Sequence, residues 1–409
     1  MMRPRSGCGV FERLGETFSS DELEVLRNKA DERNTRGYRM CGRLLRLRCD
    51  HADYADRFER AFHQLRCEDA QPAACVSELT FLTRQAGPDG FPALIDARDQ
   101  RIRVFEHEEV LPTQLFTCLA FMEKRMFSLP DHLVLHGAAI EHRGAVTAIV
   151  GRTYSGKSTL GLRLALEPNI AFLSDEFCPI RLNDGVVDPF PRCLGLRRHA
   201  CSFLAAKGAL APDLTDSAAP QVEVDPTSVR GLTIGRGGPI RNLVILSGEG
   251  VSDLTSNARL MDLQFVNAAV LADLRAIAGV RAVEVLDDGI GIGVAVRIEV
   301  EKGARVAGAL IRVCRDIHRM QCCGFLPAGA CRPDFANPPS LAPLASLRAM
   351  LEAARHLFNY GALEIRLGPG HSRLMDCLAA RLGNVRFFSL QPGPLEETSR
   401  LVQRAVLET

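Results

Sequence analysis

The sequence predicts an α/β protein organised around a P-loop core, with an α+β N-terminal part and a small ferredoxin-like inserted domain. Three observations carry this reading. Gly151-Arg-Thr-Tyr154-Ser155-Gly156-Lys157-Ser158 fits G-x-x-x-x-G-K-[ST] without a mismatch and follows an apolar run, Ala145 to Val150, that reads as a buried strand. From Leu133 strands, turns and a helix alternate in the α/β manner as far as Asp175-Glu176. Residues 256 to 336 carry a strand, helix, strand, strand, helix pattern of their own. The expected divisions are a tail and polar helix at 1–35, an α+β part at 36–130, the P-loop core at 131–255, the insertion at 256–336 and a closing segment at 337–409.

Composition narrows the class before any motif is read. A chain of 409 residues with 46% apolar residues and a formal net charge of +1 has ample material for a core and no charge excess to suggest a nucleic-acid partner. The first 15 residues are interrupted by Arg3, Arg5, Glu12 and Arg13, and no apolar run approaches a membrane span, so the expectation is a soluble, cytoplasmic protein. In that compartment the 14 cysteines are expected as reduced thiols.

The first third reads as α+β. Residues 1 to 18 resemble a disordered tail, and Ser19-Ser-Asp-Glu22 fits a capping box that opens a polar helix to about Asn34. A strand is predicted from Arg39 to Cys49, where Leu45, Leu47 and Cys49 alternate with Arg46 and Arg48. Tyr54, Phe58, Phe62 and Leu65 recur at helical spacing and read as a core stripe. Val76 to Thr83 is a predicted strand, Gly87-Pro-Asp-Gly90 a turn, and Leu94–Ala97 with Arg101–Phe105 a hairpin. Pro112 suits the first turn of an apolar helix running to about Phe127.

The core follows as strand Leu133–Ile140, turn His142–Gly144, strand Ala145–Val150, the loop, a helix from Thr159 to Leu166 and a strand from Ala171 to Ser174. In the loop Gly151 and Gly156 let the backbone turn so that N–H groups, those of Tyr154, Ser155 and Thr159 among them, face a polyphosphate. Lys157 reaches the β and γ oxygens, Ser158 offers a hydroxyl to Mg2+, and the helix aims its positive end at the anion. Only five of the 50 basic residues are lysines, and one stands at the position the motif requires. Asp175 and Glu176, ending a neighbouring strand, fall where a carboxylate meets the Mg2+ of a bound nucleotide, and two adjacent acids can divide metal and proton work. His136, in Leu-Val-Leu-His-Gly-Ala-Ala, reads from spacing alone as a hydrogen-bonded core residue more readily than a catalytic one.

These motifs carry a family resemblance. Leu135-His-Gly-Ala-Ala139, the loop at 151 to 158, Leu173-Ser-Asp-Glu176 and Pro189-Phe-Pro-Arg192 with Leu196 stand in an order and spacing that resemble HPr kinase/phosphorylase and the HPr-kinase-related bacterial kinases, whose core is phosphoenolpyruvate-carboxykinase-like. Val229-Arg-Gly-Leu232 is similar to a diluted HPr kinase signature, with Ser228 where that family has an acid. Leu357-Phe-Asn-Tyr360 and the stretch Val385 to Leu407 resemble the segment that closes the kinase core. The resemblance covers roughly 36 to 250 and 342 to 409. It implies His136 at the γ-phosphate, Asp175 as base for a substrate hydroxyl, and Glu176 with Ser158 around Mg2+. Glu176 stands where the family commonly has a second Asp.

The resulting expectation is an ATP- and Mg2+-dependent kinase acting on a hydroxyl, most simply Ser, of a protein or peptide, with no nucleic-acid or membrane partner and with a homo-oligomer left open. A small-metabolite kinase and a nucleotide-gated regulatory module without phosphoryl transfer are the alternatives. Between core and closing segment, Asp262–Val266, Ala268–Ala278, Ala282–Leu286, Gly293–Val300 and Ala304–Arg315 give the elements of the insertion. Two patterns read as coincidental. Cys314, His318 and Cys322, with Cys323 and Cys331, have ligand types but no C-x-x-C pair, and Asn28-Lys-Ala-Asp31 spells a guanine-specificity tetrapeptide without the rest of a GTPase around it.

Overall fold

The structure is a computed structural model that describes residues 10–13, 19–68, 77–90, 93–96, 101–105, 131–151, 155–211, 221–246, 258–263, 268–285, 294–301, 335–357, 363 and 371–408. The chain is mixed α/β and divides into two compact units, Met1–Met126 and Phe127–Thr409. Among the described residues no helix is long and apolar enough to cross a membrane.

In the first unit β1 (Val10–Arg13), β2 (Asp31–Met40), β3 (Arg43–Cys49), β4 (Ser77–Leu82), β5 (Ala93–Asp96) and β6 (Arg101–Phe105) form one sheet in the order β1-β6-β5-β4-β3-β2. The capping box at Ser19 forms as expected: Glu22 N–H donates to Ser19 Oγ at 3.2 Å, and Ser19 N–H donates to Glu22 Oε2 at 2.7 Å. The helix it opens, α1 (Ser20–Arg27), stops seven residues short of the expected Asn34, and β2 begins at Asp31. The polar run Asp31–Arg36 is strand because Glu32 lies across from β3, bonding Arg46 at 2.7 Å and Arg48 at 2.8 Å. The strand predicted at 39–49 is therefore two strands. Cys41 and Gly42 have φ of 47° and 73°, the pair of left-handed residues that a two-residue hairpin needs. The supposed tail also contributes, since Val10–Arg13 pairs with β6. The expected division at 35/36 falls inside β2. Helix α2 (Ala52–Phe62) links the parallel pair β3 and β4 and fully buries Phe58 and Phe62. The helix expected from Pro112 to Phe127 lies outside the described residues.

Among its described residues the second unit has an eight-stranded sheet, made of β7 (His132–His142), β8 (Ala145–Val150), β9 (Ile170–Ser174), β10 (Phe177–Arg181), β11 (Val186–Val187), β14 (Gly238–Leu246), β18 (Ser340–Pro343) and β19 (Arg386–Gln391). Their order is β11-β10-β7-β8-β14-β19-β18, with β9 on the same edge of β7 as β10. A hairpin pair, β12 (Leu194–Arg197) and β13 (Gln221–Val224), stands beside it. Strands β8, β14 and β19 are parallel, so their carboxyl ends share one edge with the loop that leaves β8. Helices α3 (Lys157–Ala165), α4 (Arg198–Ala206) and α8 (Leu395–Val402) pack on one face. On the other lie α6 (Ser346–Arg355) and α7 (His371–Leu382). Covering both faces explains why Ala145–Val150 reads as a continuous apolar run. Through the parallel strands runs a polar ladder: Asn242 Nδ2 donates to Thr147 Oγ1 at 2.9 Å, and Arg386 Nε donates to Asn242 Oδ1 at 2.9 Å.

Within the stretch expected as an insertion, β15 (Ala258–Leu263), β16 (Val280–Val285) and β17 (Val294–Val300) form an antiparallel sheet in the order β15-β17-β16, with α5 (Ala268–Arg275) after its first strand. The third strand lies between the first two, which is the split β-α-β arrangement. The helix expected at 304–315 lies outside the described residues.

One correction bears on the site. The acid-bearing strand β9 was expected beside the loop strand, but β7 lies between β8 and β9. This works because β7 is thin at the crossing: a Cβ on Gly137 would lie 2.4 Å from the Ile149 carbonyl oxygen of β8, and a Cβ on Gly161 of α3 would lie 2.8 Å from Ala138 Cβ. Gly137→Ala should therefore force β7 from β8 and destabilise the second unit by about 1–3 kcal/mol. A thermal melt of this variant that overlays wild type would contradict the close approach.

Candidate active site

The loop leaves β8 at Gly151 under tight steric control. A Cβ there would lie 2.8 Å from both Leu246 Cβ and Ser155 Oγ, so only glycine lets the chain turn against β14. Gly156 takes φ 90° as N-cap of α3, which begins at Lys157, two residues earlier than expected. Ser155 is buried, and its hydroxyl has no hydrogen-bond partner among the described residues. Thr159 lies in the first turn of α3, while Tyr154 lies outside the described residues. An N-terminal helix end with a buried hydroxyl and glycine-enforced turns is the geometry in which backbone donors converge on an anion.

Lys157 is also buried, at 6% exposure, although a lone ammonium seldom leaves water. Its surroundings account for this. Ser158 Oγ donates to the Asp175 backbone carbonyl at 3.3 Å, tying the first turn of α3 to the link between β9 and β10. The Asp175 carboxylate is 6% exposed, and its Oδ1 has no partner among the described residues. Burial holds the Asp175 pKa above the ordinary carboxylate range, against the opposing pull of the Arg192 and Lys157 charges. The result is a proton acceptor less solvated than an ordinary aspartate, flanked by two cations.

Asp175 and Glu176 interrupt β9 and β10 while both strands remain paired to β7, with Ser174 opposite Ala139 and Phe177 opposite His136. The Glu176 carbonyl accepts the Gly137 N–H at 3.0 Å, which fixes the acidic pair on the backbone ladder. His136 shares its face of β7 with Ala138, the residue that meets α3. The imidazole is half-buried, its backbone N–H donates to the His356 carbonyl at 2.7 Å, and its pKa lies well below the ordinary value. Burial is the largest cause, followed by the charges of Lys157, His356 and Arg192. At neutral pH it is a neutral ring, able to donate from one nitrogen and accept at the other.

Arg192 was quoted in a motif but given no role, and it is the residue sequence reasoning missed. It is buried, forms an ion pair with Glu176, and its charge bears on both Asp175 and His136. The segment before it is rigid: Phe190 N–H donates to the Leu173 carbonyl at 2.9 Å, and its ring meets Phe177 edge-on at 5.7 Å. The signal available was an arginine directly after Pro-Phe-Pro, with its reach fixed by proline. Adjacent Cys193 is no rival nucleophile, since burial, with Glu223 and Asp225 adding, pushes its thiol up to about 12.

The structure thus brings together Gly151, Ser155, Gly156, Lys157, Ser158, His136, Asp175 and Glu176. Glu176 differs from expectation in being held by Arg192. Ser228, at the position where the resembling family has an acid, lies in a turn and donates to the Asp225 carbonyl at 2.7 Å. Of the coincidental patterns, Asn28 caps α1, Lys29 Nζ donates to the Ala86 carbonyl and Asp31 pairs with Arg33, while Cys314, His318 and Cys322 lie outside the described residues. The chain matches no protein-family model and no curated protein.

A raised carboxyl pKa has a thermodynamic sign. Between the ordinary aspartate value, about 3.9, and its raised value in the fold, Asp175 binds a proton that the unfolded chain does not. Stability contributed by this group therefore falls as pH rises through that window and stays low above it. Asp175→Asn should raise the melting temperature at pH 7, each kcal/mol gained being worth roughly 2–4 °C, and the advantage should shrink on acidification. A melting temperature lowered at neutral pH would show that the carboxylate stabilises its surroundings.

Proposed function

We propose that the protein is a Mg-ATP-dependent phosphotransferase of the HPr-kinase-like class, moving the γ-phosphoryl group to a hydroxyl, most simply Ser, of a protein or peptide. The single observation that carries this is the buried Asp175 carboxylate, with an unpartnered oxygen, beside Lys157 at a glycine-enforced loop. A nucleotide-gated binder has use for the loop and the lysine, but gains nothing from a dehydrated carboxylate that resists ionisation. The P-loop, HPr-kinase-like architecture and the role of the 256–336 stretch as a recognition domain belong to the same proposal.

The residues present fit Mg2+. The Ser158 hydroxyl and the Asp175 carboxylate are hard oxygen donors, the Ser158 hydroxyl is tied to the Asp175 backbone carbonyl, and Asp175 Oδ1 has no partner among the described residues. Glu176 contributes by holding Arg192 at the site. Held by the Ser158 and Asp175 oxygens, Mg2+ would offset the negative charge of the polyphosphate. The loop N–H groups and Lys157 hold the polyphosphate, and Arg192 adds positive charge where negative charge builds up in the transition state. Asp175 takes the proton of the acceptor hydroxyl as the new O–P bond forms and the β–γ bridge breaks, leaving ADP. Neutral His136 donates to a γ oxygen without competing with Lys157 for charge.

Incubation with γ-labelled ATP and a lysate, followed by identification of the labelled molecule, tests the reading directly: label on a protein Ser supports it, and absence of any labelled acceptor argues against transfer. Lys157→Ala should abolish tight ATP binding and lower turnover by roughly 10²- to 10³-fold. Unchanged ATP affinity in that variant would remove the loop as the site. Asp175→Asn should bind ATP within about tenfold of wild type, roughly 1.4 kcal/mol, while losing transfer. A normal labelling rate would move the base elsewhere, with His136 next in line.

A further inference from the structure

One large apolar side chain is exposed at the loop. Phe335 is 43% exposed, and a Cβ placed on Gly156 would lie 3.4 Å from its Cε1 and 3.5 Å from its Cζ. Its ring edge therefore adjoins the last glycine of the phosphate loop. Nothing in the core needs it there, since an exposed phenyl face leaves its apolar area in contact with water.

The topology fixes which side of the loop this is. Strand β18 runs antiparallel to β19, so its first residue, Ser340, pairs with Gln391 at the carboxyl end of β19. The chain entering β18 thus arrives at the edge where β8, β14 and β19 end, which is where open α/β sheets hold ligands. It is held there by a close approach: a Cβ on Gly393 would lie 2.1 Å from the Asn337 carbonyl oxygen and 2.7 Å from Pro339 N. His136 on β7 and Asp175 after β9 approach the loop strand from one side of the sheet order, and β18 with Phe335 lies on the other. A triphosphate laid on the loop with its γ end at Asp175 has its nucleoside end towards Phe335.

Resting on the nucleotide reading above, we infer that Phe335 is a specificity-determining residue that stacks against the nucleoside base. A flat apolar ring beside a polyphosphate site offers nothing to phosphate and a π face to a base. Stacking of this kind is worth roughly 5- to 150-fold in affinity, and it tolerates either purine, so Phe335 favours nucleotides over bare polyphosphate more than one base over another.

Calorimetric titration of the full chain with Mg-ATP and, separately, with Mg-tripolyphosphate separates the two ideas. Wild type should bind both. Phe335→Ala should lose roughly 5- to 150-fold for ATP and remain within about twofold for tripolyphosphate, while Phe335→Tyr should retain ATP affinity. Equal affinity for ATP in Phe335→Ala and wild type overturns the stacking role, and so does a parallel loss for both ligands, which would make the ring a prop for the loop. Wild type that binds neither ligand sinks the nucleotide reading, and stacking with it. Because the side chain is exposed, Phe335→Ala should melt with wild type, and circular dichroism checks that a loss of binding is local.

Discussion

The second unit is arranged around a carboxylate that has been taken out of water. Dehydrating one ion costs several kcal/mol even after relaxation, and it is tolerated where opposite charges stand close by in fixed positions. Asp175 has Lys157 and Arg192, and each is itself nearly buried. The two cations offset part of the cost of burying Asp175, and Arg192 is itself paired with Glu176, the residue after Asp175. A site of this kind is assembled as a set of charges, and the backbone elements that carry them are held to the positions that the set requires.

Those positions are reached through missing side chains. Gly137 and Gly161 allow β7 to lie against β8 and α3 at distances at which any β-carbon would collide. Ala138 and Ala139 continue the thin stretch, so that loop, imidazole and acidic pair converge across a strand that would otherwise hold them apart. The apolar residues of β7 give the unit its core, and its small ones give it a site.

Much of this was legible in sequence, for identifiable reasons. The loop was legible because two of its motif positions are set by backbone geometry: a β-carbon on Gly151 would collide with Leu246 and Ser155, and Gly156 takes φ 90°. The strands of the core were legible from apolar runs, since both faces of the sheet are covered. Sheet order was not, because β9 and β10 share one edge of β7 by pairings that leave no local trace. Asp31–Asn34 read as helix because its polarity hid a strand whose partners are charges on β3. Arg192 carried no role because its meaning depends on Glu176, sixteen residues earlier, and Phe335 none because its neighbour is Gly156, far away in the chain.

The polar ladder from Thr147 through Asn242 to Arg386 implies an order of events in folding. Strand β19, from the last tenth of the chain, is an interior strand between β14 and β18, and Arg386 completes the ladder by donating to the Val406 carbonyl at 2.7 Å. Until it docks, β14 is an open edge with a buried asparagine half satisfied. Contacts this distant in sequence form late and slowly. A chain can therefore carry the whole loop sequence, its lysine and both acids, yet lack the scaffold that holds β14 beside the loop strand until β19 has docked.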